Sequence, residues 1–201
     1  MRDKMLGIAL LGAVTLSAQT PRAPSAVGSL TNGHYHHNRT GIEFSVTPEW
    51  SLLGEGPSSG RGESVGFRDS TTDATLYAWM VRRSDETQWL DSKSDMDTYQ
   101  HLIGVKIEQR HVANLNDYWI RSDRVEHPTI GGRMALKAVG EYTIVRSGPG
   151  DTAAKSERLS ECLTWIHSDS VRVLFSSTVR SADLASYQPR FDQVVATAVL
   201  P

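Results

Sequence analysis

Residues 41–47 alternate without a break, with Ile42, Phe44 and Val46 on one side and Glu43, Ser45 and Thr47 on the other. A period of two predicts a half-buried strand, which Pro48 ends. Residues 50–53 turn apolar again and predict a second short strand. Residues 54–62 are dense in glycine, with Pro57, Ser58 and Ser59, and predict a mobile loop. Two further strands are predicted at 65–68 and 76–82, across the polar turn 69–73. In the second, Tyr77, Trp79 and Val81 oppose Leu76, Ala78 and Met80. Apolar residues on both sides predict a central strand covered on both faces.

The period then changes. Met96, Tyr99, Ile103 and Ile107 recur at three- and four-residue spacing, with Leu102 widening the stripe, and predict a helix over 95–109. Ser94 with Asp97 resembles a capping box, and Arg110 and His111 supply positive charge at the C-terminal end. Residues 118–121 predict a short strand and Gly131-Gly132 a turn. A long strand follows over 134–144, then a Gly/Pro/Ser/Ala loop over 147–155. Residues 159–167 and 171–179 predict a hairpin across Ser168-Asp169-Ser170. A closing helix is expected to begin near Pro189, with Phe191, Val194, Val195 and Ala198 as its buried stripe. Strands, a helix, more strands and a last helix describe an α+β fold.

The start of the chain carries a different pattern. Arg2 and Lys4 precede the uncharged apolar run 5–16, and small residues follow at Ser17 and Ala18. That is the layout of a secretory signal peptide, and the run is shorter than the roughly 20 residues a bilayer-spanning helix needs. The expected organisation is a signal peptide at 1–18, a flexible lead-in at 19–34 and a single α+β domain at 35–201. The mature chain would then leave the cytoplasm, periplasmic or secreted, with no transmembrane segment. Its formal charge of −2 becomes one unit more acidic once Arg2, Asp3 and Lys4 are removed. That balance argues against nucleic acid as a partner. One cysteine, Cys162, cannot form an intrachain disulfide.

The segment Gly41-Ile42-Glu43-Phe44-Ser45-Val46-Thr47-Pro48-Glu49-Trp50 resembles the opening of PsbP-like domains, and 191–199 resembles their last helix. This fold is shared by photosystem extrinsic subunits, Ran-binding Mog proteins and many exported bacterial proteins. The resemblance, to the exported bacterial branch, covers about residues 35–200. It implies a central antiparallel sheet flanked by helices, an α/β/α sandwich. It implies no particular activity, because function lives in sites rather than folds.

Several residues invite chemical readings. His34, His36 and His37 form the densest run of ligand-type side chains, and neutral imidazoles bind zinc or copper. A closed site needs three or four ligands, and His101, His111, His127 and His167 are scattered. A polar approach to the first strand is the plainer reading, so no metal and no cofactor is expected. Cys162 with His167 would make a thiol and base, but Cys162 sits inside a predicted strand rather than at a helix N-terminus. Asp91, Asp95 and Asp97 lack the glycine and terminal glutamate of a calcium loop. Asn38-Arg39-Thr40 matches the N-glycosylation acceptor pattern, which short chains also show by chance. No nucleotide loop, serine elbow or zinc-protease motif occurs. Trp50, Trp79, Trp119 and Trp165 fall on predicted strands and are expected in the core, leaving Trp89 as the exposed one. The pattern weighs against an enzyme. It favours an exported binding or accessory module for an unknown protein or small-molecule ligand. The alternatives are a hydrolase whose site is assembled only in three dimensions, or a metal-binding envelope protein using His34, His36 and His37.

Overall fold

The computed structural model describes residues 27–57, 62–85, 95–115, 117–146 and 155–201. It begins with a three-stranded antiparallel sheet of β1 (Gly28–Thr31), β2 (His34–His37) and β3 (Glu43–Ser45). The lead-in expected over 19–34 is therefore corrected at its C-terminal end. Asn32 and Gly33 both have positive φ, 51° and 78°, which is the turn geometry that suits a two-residue hairpin. Tyr35 then packs on Phe44, with ring centroids 5.0 Å apart, and ties the hairpin to the core.

The larger sheet contains eight strands: β4 (Trp50–Pro57), β5 (Glu63–Asp69), β6 (Thr75–Arg82), β7 (Trp119–Ile120), β8 (Thr129–Ile130), β9 (Arg133–Arg146), β10 (Lys155–His167) and β11 (Val171–Arg180). Their order is β4-β5-β6-β11-β10-β9-β7, with β8 also on β9, and every pairing is antiparallel. The glycine-rich stretch after Leu53 is strand as far as Pro57 rather than loop, because β5 pairs with it across a bulge at Leu52/Gly54. Residues 58–61 lie outside the described residues.

Among the described residues two helices complete the fold, α1 (Asp95–Val112) and α2 (Leu184–Val195), one on each face of the larger sheet. Under α1 lie Leu136, Ala138, Leu163 and Trp165. Under α2 and the small sheet lie Phe67, Phe175, Val173 and Val139. The result is an α+β fold with a central antiparallel sheet flanked by helices.

Three expectations about packing need correction. Met96 is 39% exposed and stands outside the α1 stripe, while Lys106 is 8% exposed and stands within it. The stripe turns because Lys106 has a buried carboxylate to meet. Strand β6 is central, but Tyr77 on it is 48% exposed, since α1 packs over β9 and β10 instead. α2 begins at Leu184, so Pro189 lies inside the helix rather than at its start. A 3-10 turn, Ser181–Asp183, leads into it.

Candidate functional site

The buried face of α2 is Leu184, Tyr187, Phe191, Val194 and Val195. Spacing of three and four residues puts these on one side and leaves Ala185, Gln188, Pro189 and Asp192 on a flank. That flank faces β9 and the 3-10 turn Ser122–Arg124, across a cleft of about 500 Å³. From the sheet side, Arg121, Arg124, Lys137 and Glu141 line it. Lys137 and Glu141 alternate with Leu136 and Ala138, which lie under α1 on the opposite face. The cleft is thus the polar margin of the α2 face.

Four of its charges are paired across it. Lys137 Nζ donates to Asp192 Oδ2 at 2.6 Å. Arg121 Nη1 donates to Glu141 Oε1 at 3.2 Å, and Arg121 Nη2 to Asp123 Oδ2 at 2.6 Å. Arg158 Nη2 holds the other oxygen of Glu141 at 2.5 Å. The Arg121 hydrogen bonds hold the Asp123 carboxyl below the ordinary carboxylate range. Arg124 is exposed at the rim. Pro189 has no N–H to give the Ala185 carbonyl four residues back. Trp119 pairs directly across from Glu141, which puts its indole on the same face beside the cleft, 44% exposed. The core position that the strand pattern predicts for Trp119 is thereby corrected: it is exposed because β7 lies at the sheet edge. Among the described residues lining the cleft there is no histidine or cysteine to serve as base or thiol nucleophile. What the arrangement offers is a mixed set of hydrogen-bond donors and acceptors.

A second charged cluster is centred on a buried carboxylate. Glu161, 0% exposed, accepts from Lys106 Nζ at 2.9 Å, from Ser176 Oγ at 2.7 Å and from both Arg110 Nε and Nη2. Burial alone would raise its pKa, but the two cations outweigh that and hold it low. With its oxygens so occupied, Glu161 fastens α1 to the sheet.

The residues singled out by the sequence are dispersed. His34 and His36 share the outer face of β2 and bracket one carboxylate, Glu43, at 3.3 and 2.9 Å. His37 points the other way and is buried. The Thr40 N–H donates to its Nδ1 at 3.1 Å, so the proton sits on Nε2, 3.0 Å from Glu63 Oε2. Strand alternation therefore separates His37 from the other two. Among the described residues, no group of three or more His, Cys, Asp and Glu is arranged to hold a metal ion. Cys162 and His167 lie on opposite faces of β10, with His167 stacked edge-on against Tyr99 under α1. Burial pushes the Cys162 thiol up to about 12, the reverse of what a nucleophile needs. Gly131 and Gly132 form the β8–β9 turn, with φ of 57° and 76°. Asn38 is exposed and Thr40 is buried against His37. Trp50 and Trp165 are core, and Trp79 is half-buried. Asp91, Ser94 and Trp89 lie outside the described residues, and Asp97 is exposed in the first turn of α1. Trp119 and the Arg121–Glu141 pair were not signalled as a site, because in sequence they read as an ordinary short strand and surface charges.

No protein-family model matches the chain, and no curated protein matches it in sequence. Solved structures do match its shape. The fold is PsbP-like. It is similar to cyanobacterial PsbP (CyanoP) from Synechocystis sp. PCC 6803, with a TM-score of 0.58 and 16% identity, over 89% of this chain and 98% of that one. It is also similar to LpqN, described as involved in cell envelope biogenesis of Mycobacterium tuberculosis. There the TM-score is 0.51 and the identity 18%, over 84% and 90% of the two chains.

Proposed function

We propose that the protein is an extracytoplasmic binding or accessory module that holds its ligand in the cleft between α2 and β9. The observation that carries this reading is a solvent-open cleft in which Lys137 is paired with Asp192 and Arg121 with Glu141, while Arg124 stands exposed at the rim. Such a site presents hydrogen-bonding groups, and its carboxylates, Glu141 and Asp192, are engaged by Arg121 and Lys137. Export is supported by the basic start, the apolar run and the small residues that follow. Among the described residues no helix is long and apolar enough to cross a membrane. The envelope role named for LpqN agrees with this setting.

The test is native mass spectrometry of the mature protein taken from its own envelope fraction. Ala185 is exposed on the cleft wall, so Ala185→Trp fills the cleft without disturbing the core. The parent should carry a non-covalent adduct that the variant loses. Equal adducts on both, or none on either, would remove the cleft from the account.

A further inference from the structure

We infer that the cleft beside α2 takes an uncharged saccharide, with Trp119 as the stacking platform for one ring. This rests on the cleft being a binding site, as proposed above, and adds the chemistry of what it binds.

The paired charges leave hydrogen-bonding capacity to spare. Lys137–Asp192 and Arg121–Glu141–Arg158 are closed pairs at 2.5–3.2 Å. An anion entering here would have to displace a carboxylate that is already held at short range. A cation would have to displace a guanidinium or an ammonium. Both exchanges return little, since the incoming charge only replaces one already present. A hydroxyl meets no such obstacle. It both donates and accepts, so it can give its proton to a spare carboxylate lone pair and accept from a spare guanidinium N–H. Each paired Arg and carboxylate keeps such capacity, because Arg carries five N–H donors and a carboxylate about four acceptor positions.

Two further features suit a polyol. The Ala185 carbonyl lacks the helical N–H of residue 189, since Pro189 has none to give. The Gln188 amide beside it offers both a donor and an acceptor. Outside the residues that line the cleft, but on the same sheet face and directly across the strand pair from Glu141, stands Trp119, 44% exposed. A pyranose ring has one face of C–H groups and a rim of hydroxyls, which matches an apolar plate beside a rim of hydrogen-bonding groups. A peptide adding as a strand is disfavoured, because β7 and β8 already occupy this edge of β9. A cleft of about 500 Å³ lies in the usual range for small ligands.

The experiment is an NMR titration of the full mature protein, following the Trp119 indole N–H, assigned with Trp119→Phe. The probes are chitotriose, cellotriose, maltotriose, inorganic phosphate and trialanine. At least one trisaccharide should shift the Trp119 indole together with amides of residues 181–192. Trp119→Ala should weaken that binding by about tenfold or more while leaving the melt unchanged, since Trp119 is exposed. Asp192→Asn should weaken it also. Raising the salt from about 50 to about 500 mM should change it less than about twofold, because no net charge is being neutralised. Shifts with phosphate or trialanine alone, or a strong salt dependence, would overturn the saccharide inference and leave the binding-module reading standing. Silence with all five probes would overturn it as well, while the mass-spectrometric adduct would decide the broader reading separately.

Discussion

Protonating His37 would break the hydrogen bond that shapes the turn after it. Its Nδ1 accepts from the Thr40 N–H, and the ring is fully buried. Burial lowers its pKa, and Arg39 acts in the same direction, against the attraction of Glu63 and Glu55. The folded state therefore resists the proton that the unfolded chain takes up near pH 6.5. The His37 contribution to stability should be complete above about pH 6.5 and fall away as the pH drops from there toward the lowered folded value. Melting temperatures of the parent and His37→Gln across pH 4 to 8 check this. The gap should be widest at the alkaline end and narrow in acid, and a constant gap would count against it. Asp69 has the acid-side counterpart. Burial alone would raise its pKa, but hydrogen bonds from Thr71 and Thr72 and the nearby Arg190 hold it low. Its contribution should be complete above the unfolded value of about 3.9 and be lost as the pH falls through the lower folded one. Asp69→Asn should then lower the melting temperature at pH 7 and make little difference near pH 2.

At the scale of elements, α1 depends on one buried carboxylate. Lys106 and Arg110, four residues apart, reach Glu161 from the same side of the helix. Removing Glu161 leaves two cations with no counter-charge in a largely dry interface. Glu161→Ala should cost about 3–5 kcal/mol in urea unfolding. A cost below about 1 kcal/mol would mean that α1 is held by its apolar contacts alone. This clamp also shows what was hidden in the sequence. Periodicity found Tyr99, Leu102, Ile103 and Ile107, but a lysine in the buried stripe is invisible to a rule that sorts by hydrophobicity. β9, β10, β11 and the Ser168 turn were legible because alternation and turn residues agreed. β1 was missed although Asn32-Gly33 is a strong hairpin signal, since only Leu30 beside it is apolar. Residues 54–57 were missed because pairing with β5 overrode the turn preference of glycine. The cleft was illegible for a different reason. Arg121, Lys137, Glu141 and Asp192 meet only through the packing of α2 on β9, and no spacing in the chain records that.

At the scale of the whole molecule, an export-type start precedes a PsbP-like fold with a cleft at one margin of its sheet. Cleavage should fall near Ala18, and N-terminal sequencing of the native protein that still finds Met1 would refute export by this route. The central claim is that the α2–β9 cleft binds and does not react. It is tested most directly by amide chemical-shift mapping of the labelled mature protein against a soluble extract of its own envelope, with the extract analysed before and after. The account predicts shifts clustered at 121–124, 137–141 and 181–192, with the bound component recovered unchanged. Shifts centred instead on His34, His36 and Glu43, or a component recovered in altered form, would contradict it.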